Sequence, residues 1–347
     1  MIFIYCSIVY IIKMKLICAP MATLSHSAFR MLIENFGGCD EFYTEMINAP
    51  SLVANGHFEK YYLDASPSKE KIVWQLTGKD VSSMCKAAKI LVTKGGLGID
   101  LNMGCCAPEI VKSGAGIAWM LKPVSETLEL VRSVKDVLNS FEAENSYHFR
   151  FSVKCRLGDE NFSEQTFFDF TDMLVKNGVE RICLHPRTKK EKYREKPRWF
   201  YAQKLAERYD NLPVEVVVNG DVCDAASASK VLAACPGCDG LMIGRAAVTK
   251  PWIFMILRYF LDGKKLDSKV DLLDCSLKFI DWVEQKQPKE FYKTRLQRFF
   301  TYFCENLSFA HYARTQMLNA ENLDDSRARI CEYFKKVPED RFLTISV

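Results

Sequence analysis

The chain has 347 residues, 48% of them hydrophobic and 26% charged, with a formal net charge of +4. That is the composition of a folded soluble protein large enough for a sizeable core, either one large domain with an appendage or two domains, and the small net charge neither requires nor excludes a polyanionic partner. The 14 cysteines show no small-domain spacing; they exclude a secreted disulfide scaffold and read as reduced, buried small residues of a cytoplasmic protein.

In chain order, the first segment is the apolar MIFIYCSIVYII of residues 1–12. It is shorter than the roughly twenty residues a membrane span needs, and no positive charge precedes it as in a signal peptide. Residues 1–13 therefore read as an N-terminal extension before a start at Met14, with no membrane partner expected.

Eight β-rich runs follow: KLICAP (15–20), EFYTEM (41–46), KIVWQLTG (71–78), GIDLNMG (98–104), FRFSVKCRLG (149–158), RICLHPRT (181–188), VEVVVNGD (214–221) and GLMIGRAA (240–247). Several are near-continuous apolar runs, as in parallel strands covered on both faces. Between them lie helical patterns. Residues 163–178 space Phe167, Phe168, Met173 and Leu174 for one face and stop at Gly178, and residues 123–141 open on Pro and Ser. Eight strands alternating with helices predict a (β/α)8 TIM barrel, class α/β, over 14–262. A doubly wound sheet fits less well, because its Gly-rich signature follows strand one, where Ala19-Pro20-Met21 stands here. After Leu261 the pattern is helical with no strands, which predicts a smaller C-terminal all-helical domain over 263–347. Cys235-Pro-Gly-Cys238 has no second ligand pair nearby, and no metal site is assigned.

In such barrels the chemistry sits at the C-terminal strand ends. Here those ends carry Pro20 and Met21, then Gln75, Asn102 with Cys105, Lys154 with Arg156, His185 with Arg187, Asn219-Gly220-Asp221, and Gly244-Arg245. Agreement of seven ends on polar or conformationally special groups points to an active site. Gly-rich ends on strands seven and eight suit a phosphate, with Arg245 adding charge. A phosphate site, an inward Lys154 and a nearby Gln75 together suggest flavin mononucleotide (FMN), with Lys154 stabilising the anionic reduced ring.

These motifs resemble the tRNA-dihydrouridine synthase family. The matching pieces are APMA (19–22) with Phe29 and Arg30, YTEMI (43–47), WQLTG (74–78), LNMGC (101–105), GAGIAWMLKP (114–123), VKCRLG (153–158), LHPRT (184–188), VNGDV (218–222) and IGRAA (243–247), in family order over about 15–250. The resemblance implies FMN, NADPH or NADH as reductant, and reduction of the C5=C6 bond of selected tRNA uridines to dihydrouridine. Hydride passes from flavin N5 to C6, and C5 takes a proton from an acid. By family position that acid is Cys105, since a thiol is mostly protonated at neutral pH. Pro20, Met21, Ala22, Gln75, Lys154, His185, Asn219, Gly220, Asp221, Gly244 and Arg245 are the expected cofactor residues. Asn102, Arg187, Lys189, Lys190 and Lys192 are the expected substrate residues.

The sequence departs from the family in two places. Thr23-Leu24-Ser25-His26 replaces Gly-Val-Thr-Asp, and Cys106 occupies a Pro slot, where it reads as a small filler. The segment RTKKEKYREKPRW (187–199) holds seven basic and two acidic residues with Tyr193 and Trp199 between them, which suits RNA backbone contact and base stacking. Lys286, Lys289, Lys293, Arg295 and Arg298 form a second basic set, expected in part to face the same tRNA and in part to be plain helix surface. No obligate protein partner is called for. The alternatives are an FMN barrel acting on a small molecule, against which the basic loop and helical domain argue, and a tRNA-binding protein without catalysis, against which Cys105, Lys154 and His185 argue.

Overall fold

A computed structural model describes residues 14–347, and the extension expected at 1–13 lies outside them. All eight expected runs form strands: β1 (Lys15–Cys18), β2 (Glu41–Tyr43), β3 (Ile72–Thr77), β4 (Gly98–Met103), β5 (Arg150–Cys155), β6 (Arg181–Leu184), β7 (Glu215–Asn219) and β8 (Gly240–Ile243). Each pairs in parallel with the next, and β1 pairs with β8 through Lys15↔Gly240 to Cys18↔Ile243, which closes the barrel.

Alternation along each strand sends one set of side chains into the barrel and the other under the helices. Ile17, Ala19, Tyr43, Val73, Cys183, Val217 and Met242 form the inner cluster, while Leu16, Phe42, Trp74 and Ile99 belong to the larger outer core. The strand beginnings carry a buried ion lattice. Arg181 donates to Glu41 (2.9 Å) and Glu215 (2.7 Å), and Arg150 donates to Glu41 (3.1 Å). Arg181 is fully buried. This charge plugs the end of the barrel away from the cavity described below.

Local signals set the crossover helices. Ser163 caps the helix Glu164–Lys176 by accepting the Thr166 amide at 3.1 Å, and Gly178 ends it at φ +87°. Asp80 and Asp224 cap Val81–Val92 and Ala225–Ala234 in the same way.

The C-terminal region has helices at Leu272–Lys286, Lys289–Phe303, Ala310–Leu318 and Leu323–Lys336. It also has a feature the periodicity did not predict, an antiparallel ribbon of β9 (Asp267–Asp271) and β10 (Phe342–Ser346). Only Val270 and Ile345 of these strands are buried, so neither shows an apolar run in sequence. The ribbon ties the start of the region to its end. Aromatic packing joins the region to the barrel: Phe279 stacks on Phe299 at 3.8 Å, and Phe29 and His26 of the barrel side reach the same pair. No helix among the described residues is long and apolar enough to cross a membrane.

Candidate active site

A cavity of about 880 Å³ opens at the C-terminal ends of the strands. It is lined by the β1 end (Ala19 to Ala22), the β4 end (Asn102 and Gly104 to Pro108), Lys154, Arg156, His185, the β7 end (Asn219 to Cys223) and the β8 end (Gly244 to Ala246). The volume is that of a cofactor or ligand site. Most of the expected residues converge here. Gln75, Arg187, Lys189 and Lys190 are not among the lining residues.

Cys105 and Cys106 both face this cavity and are both half-buried. The Asn102 side-chain oxygen accepts the Cys105 and Gly104 amides at 2.9 and 3.2 Å and thereby folds the turn that carries the thiols. Gly116 closes in behind it at φ +62°, where a Cβ would stand 2.6 Å from the Cys105 carbonyl oxygen. Burial pushes the Cys105 thiol above its ordinary value, against the pull of the Ala107 amide and the Arg156 and Lys154 charges. The thiol therefore keeps its proton at neutral pH.

Lys154 reaches the cavity from β5, and its ammonium makes no hydrogen bond or ion pair with a described residue. Burial and the neighbouring Arg156 lower its pKa. Arg156, 5% exposed, is spent on carbonyls of Gly104 (3.1 Å) and Thr188 (3.4 Å), so it braces the β4 and β6 loops. His185 lies 2.9 Å from Arg187 Nη1 through Nε2. A guanidinium only donates, which assigns the lone pair to Nε2 and the ring proton to Nδ1. Burial and the surrounding cations hold this imidazole neutral.

Arg187 is a buried clamp. It donates to Asp221 at 2.6 Å and to the Glu195 carbonyl at 2.6 Å, and is 2% exposed. Asp221 stands at φ +58° after Gly220 at φ +132°, a tight bend that brings this strand end to the cavity. Arg245 makes only a 3.3 Å contact with Asp221 and lies over the exposed Tyr193 ring at 4.3 Å. Within the loop 187–199, Lys192 lines the cavity, Lys190 is exposed and Lys189 is half-buried. Trp199 packs inward and donates to the Gly220 carbonyl at 3.2 Å, which leaves Tyr193 as the loop's outward aromatic.

Arg298, Tyr302 and Glu305 of the C-terminal region complete the cavity wall, a contribution the strand-end argument misses. The second basic set splits. Arg298 faces the cavity, while Lys289 and Lys293 line a separate cleft of about 350 Å³. Arg295 and Lys286 are turned to the barrel, on Glu45 (2.6 Å) and Ser66 (3.0 Å). Thr23, in a family Gly slot, sits at φ +64°, a conformation costly for a β-branched residue, and donates its amide to the same Glu45 at 2.6 Å. His26 is buried with neither ring nitrogen hydrogen-bonded.

A closed parallel barrel with a thiol, a lysine and a histidine at its C-terminal mouth defines an enzyme of the TIM-barrel class. The chain belongs to the dihydrouridine synthase family: residues 17–335 match the family described as Dihydrouridine synthase (Dus). A probable tRNA-dihydrouridine synthase of Aquifex aeolicus is 28% identical over 326 residues, covering 92% of this chain and 96% of its own. One from Helicobacter pylori is 30% identical over 247 residues, 71% and 70% of the two chains. Among solved structures, a 2-naphthoyl-CoA reductase complex superposes with a TM-score of 0.51 at 9% identity over 72% of this chain, a likeness of fold. This chain spans about half of that structure, 50% of its length.

Proposed function

We propose that the protein reduces the C5=C6 bond of particular uridines in tRNA to 5,6-dihydrouridine, with FMN in the barrel mouth and NADPH or NADH as reductant. The observation that carries this reading is that one cavity is faced by the Cys105 thiol, whose pKa burial raises, and by the Lys154 ammonium, which makes no hydrogen bond or ion pair with a described residue. The donor set fits a flavin phosphate ester. Gly220, Gly244 and Arg245 would hold the phosphate, Pro20, Met21, Ala22 and Asn219 would line the ring slot, and Lys154 and His185 would meet its polar edge. Gln75 acts from beneath, through Asn102. When bound, FMN supplies hydride from N5 to C6 of the uracil.

The remaining steps belong to the chain. Cys105 Sγ gives its proton to C5, which a neutral thiol does as general acid. The target uridine leaves its stack to reach the mouth. Lys189, Lys190 and Lys192 on one side and the helical region 263–347, with Arg298 at the rim, on the other contact the tRNA in the cytoplasm. The test is to purify the protein, titrate it with FMN by absorbance, and assay dihydrouridine in tRNA from cells lacking this protein. Yellow protein that forms dihydrouridine with NADPH supports the reading. A protein that binds no FMN, or binds it and leaves the tRNA unchanged, overturns it.

A further inference from the structure

Beneath Cys105 runs a chain of side-chain hydrogen bonds whose direction can be read from its ends. Asn102 Oδ1 accepts the backbone amides of Gly104 and Cys105, and backbone N–H groups only donate. The oxygen of that carboxamide is therefore turned to the loop. Its Nδ2 then faces Gln75 and donates to Oε1 at 2.8 Å. Gln75 in turn donates from Nε2 to Asp100 Oδ2 at 2.7 Å, and the other Asp100 oxygen accepts from Ser152 Oγ at 2.8 Å. Gln75, Asp100 and Ser152 are completely buried and Asn102 is 8% exposed. The strands impose the order, since Gln75 is in register with Asp100 and Asp100 with Ser152.

A buried carboxylate is a costly way to fill space in a barrel interior. Burial pushes Asp100 up to about 6, with the Gln75 and Ser152 hydrogen bonds and the Lys154 and Arg181 charges pulling it back. At neutral pH it remains an acceptor at both oxygens. An acceptor-only group at one end and donor-only amides at the other leave each intervening carboxamide one satisfied orientation.

We propose that Asp100 is a positioning residue for the catalytic thiol: through Gln75 it sets the direction of the Asn102 carboxamide, and that carboxamide holds the Gly104–Cys105 turn. The catalytic half of this statement rests on the proposed role of Cys105 as proton donor; the relay itself does not. Asp100 touches neither the thiol nor the cavity. It acts through the polarity of two amides.

The relay is tested by moving its charge. In a Cys106→Ala background, so that one thiol in the turn reports, the rate of Cys105 alkylation by iodoacetamide is followed by peptide mass spectrometry, with thermal unfolding measured alongside. Asn102→Asp sets a carboxylate against Gln75 Oε1, which Asp100 holds in place. The turn loosens and alkylation accelerates at least fivefold. In Asp100→Asn/Asn102→Asp the carboxylate is at the loop end, Gln75 turns over, and every donor again has an acceptor with the polarity reversed. Alkylation returns to within about twofold of the background protein. If Asn102→Asp fails to fold, recovery of folded protein in the double variant supports the relay equally. Unchanged alkylation in the single variant, or a double variant that is no better protected or folded than the single, overturns it. A residue that merely fills space predicts no such rescue. The readout needs neither tRNA nor reductant, so the relay can fail while uridine reduction stands. Normal uridine reduction by Cys105→Ala overturns the acid assignment and leaves the relay intact.

Discussion

Arg295 Nη1 donates to Glu45 Oε1 at 2.6 Å across the seam between the helical region and the barrel, with side chains only 3% and 6% exposed. The same carboxylate oxygen receives the Thr23 amide, so one acceptor organises the β1 loop, the β2 loop and the helix Lys289–Phe303. Breaking a buried pair leaves an uncompensated charge, and Arg295→Ala should destabilise the protein by about 3–5 kcal/mol in chemical denaturation. The salt dependence of tRNA binding should not change, because this cation is not available to a phosphate. Arg298→Ala should show the opposite pattern, with stability kept and tRNA binding weakened.

The two thiols of the β4 loop should separate. Cys105→Ala should bind FMN and be reduced by NADPH, while dihydrouridine formation falls about 10²–10⁴-fold, the loss typical of removing a general acid. Cys106→Ala or Cys106→Pro should cost far less. Single-turnover reoxidation of reduced flavin by bound tRNA is the measurement, since product release can mask a chemical defect. A crippled Cys106→Ala beside a normal Cys105→Ala reverses the assignment.

Lys154 holds a half-buried charge that makes no hydrogen bond or ion pair with a described residue, and burial opposes it. Lys154→Met removes that desolvation cost and should leave the unfolding temperature equal or raised, while FMN affinity drops roughly tenfold, about 1.4 kcal/mol. Calorimetry with and without FMN reads both quantities. A variant that is destabilised and binds FMN normally contradicts the role.

The loop 187–199 offers two kinds of cation. Charge reversal at the half-buried Lys189 and the exposed Lys190 should weaken tRNA binding and flatten its salt slope, leaving NADPH oxidation without tRNA nearly intact. Arg187→Ala should instead unfasten the loop from Asp221 and lower stability by about 3 kcal/mol. Equal effects of the two sets on stability contradict this division.

Asp100 gives a pH signature. Its carboxyl, at about 6 in the fold against an ordinary 3.8, binds its proton more tightly when folded. The stabilising contribution is complete below about pH 4 and is lost as pH rises through 6, a change of about 3 kcal/mol. Relative to the native chain, Asp100→Asn should therefore gain stability between pH 4.5 and 7.5 in urea titrations. A difference that stays constant across this range excludes the raised carboxyl.

The strands were legible because a parallel strand buried on both faces must be apolar along its length, a property of consecutive residues such as those of Val216 to Val218. The polar strand ends were legible for the converse reason: Asn102, Lys154 and His185 interrupt those runs where the barrel opens. What each charge does was not legible. Arg187, Arg295 and Arg298 are equally basic in sequence, yet the first is clamped by Asp221, the second by Glu45, and the third faces the cavity. The ribbon of β9 and β10 was hidden in the same way, its strands about 70 residues apart with one buried side chain each. The apolar pattern of neighbouring residues determined the barrel. Only the tertiary structure decided which polar groups are spent inside it and which remain for a ligand, because a hydrogen-bond partner is chosen by proximity in space and leaves no periodic mark on the chain.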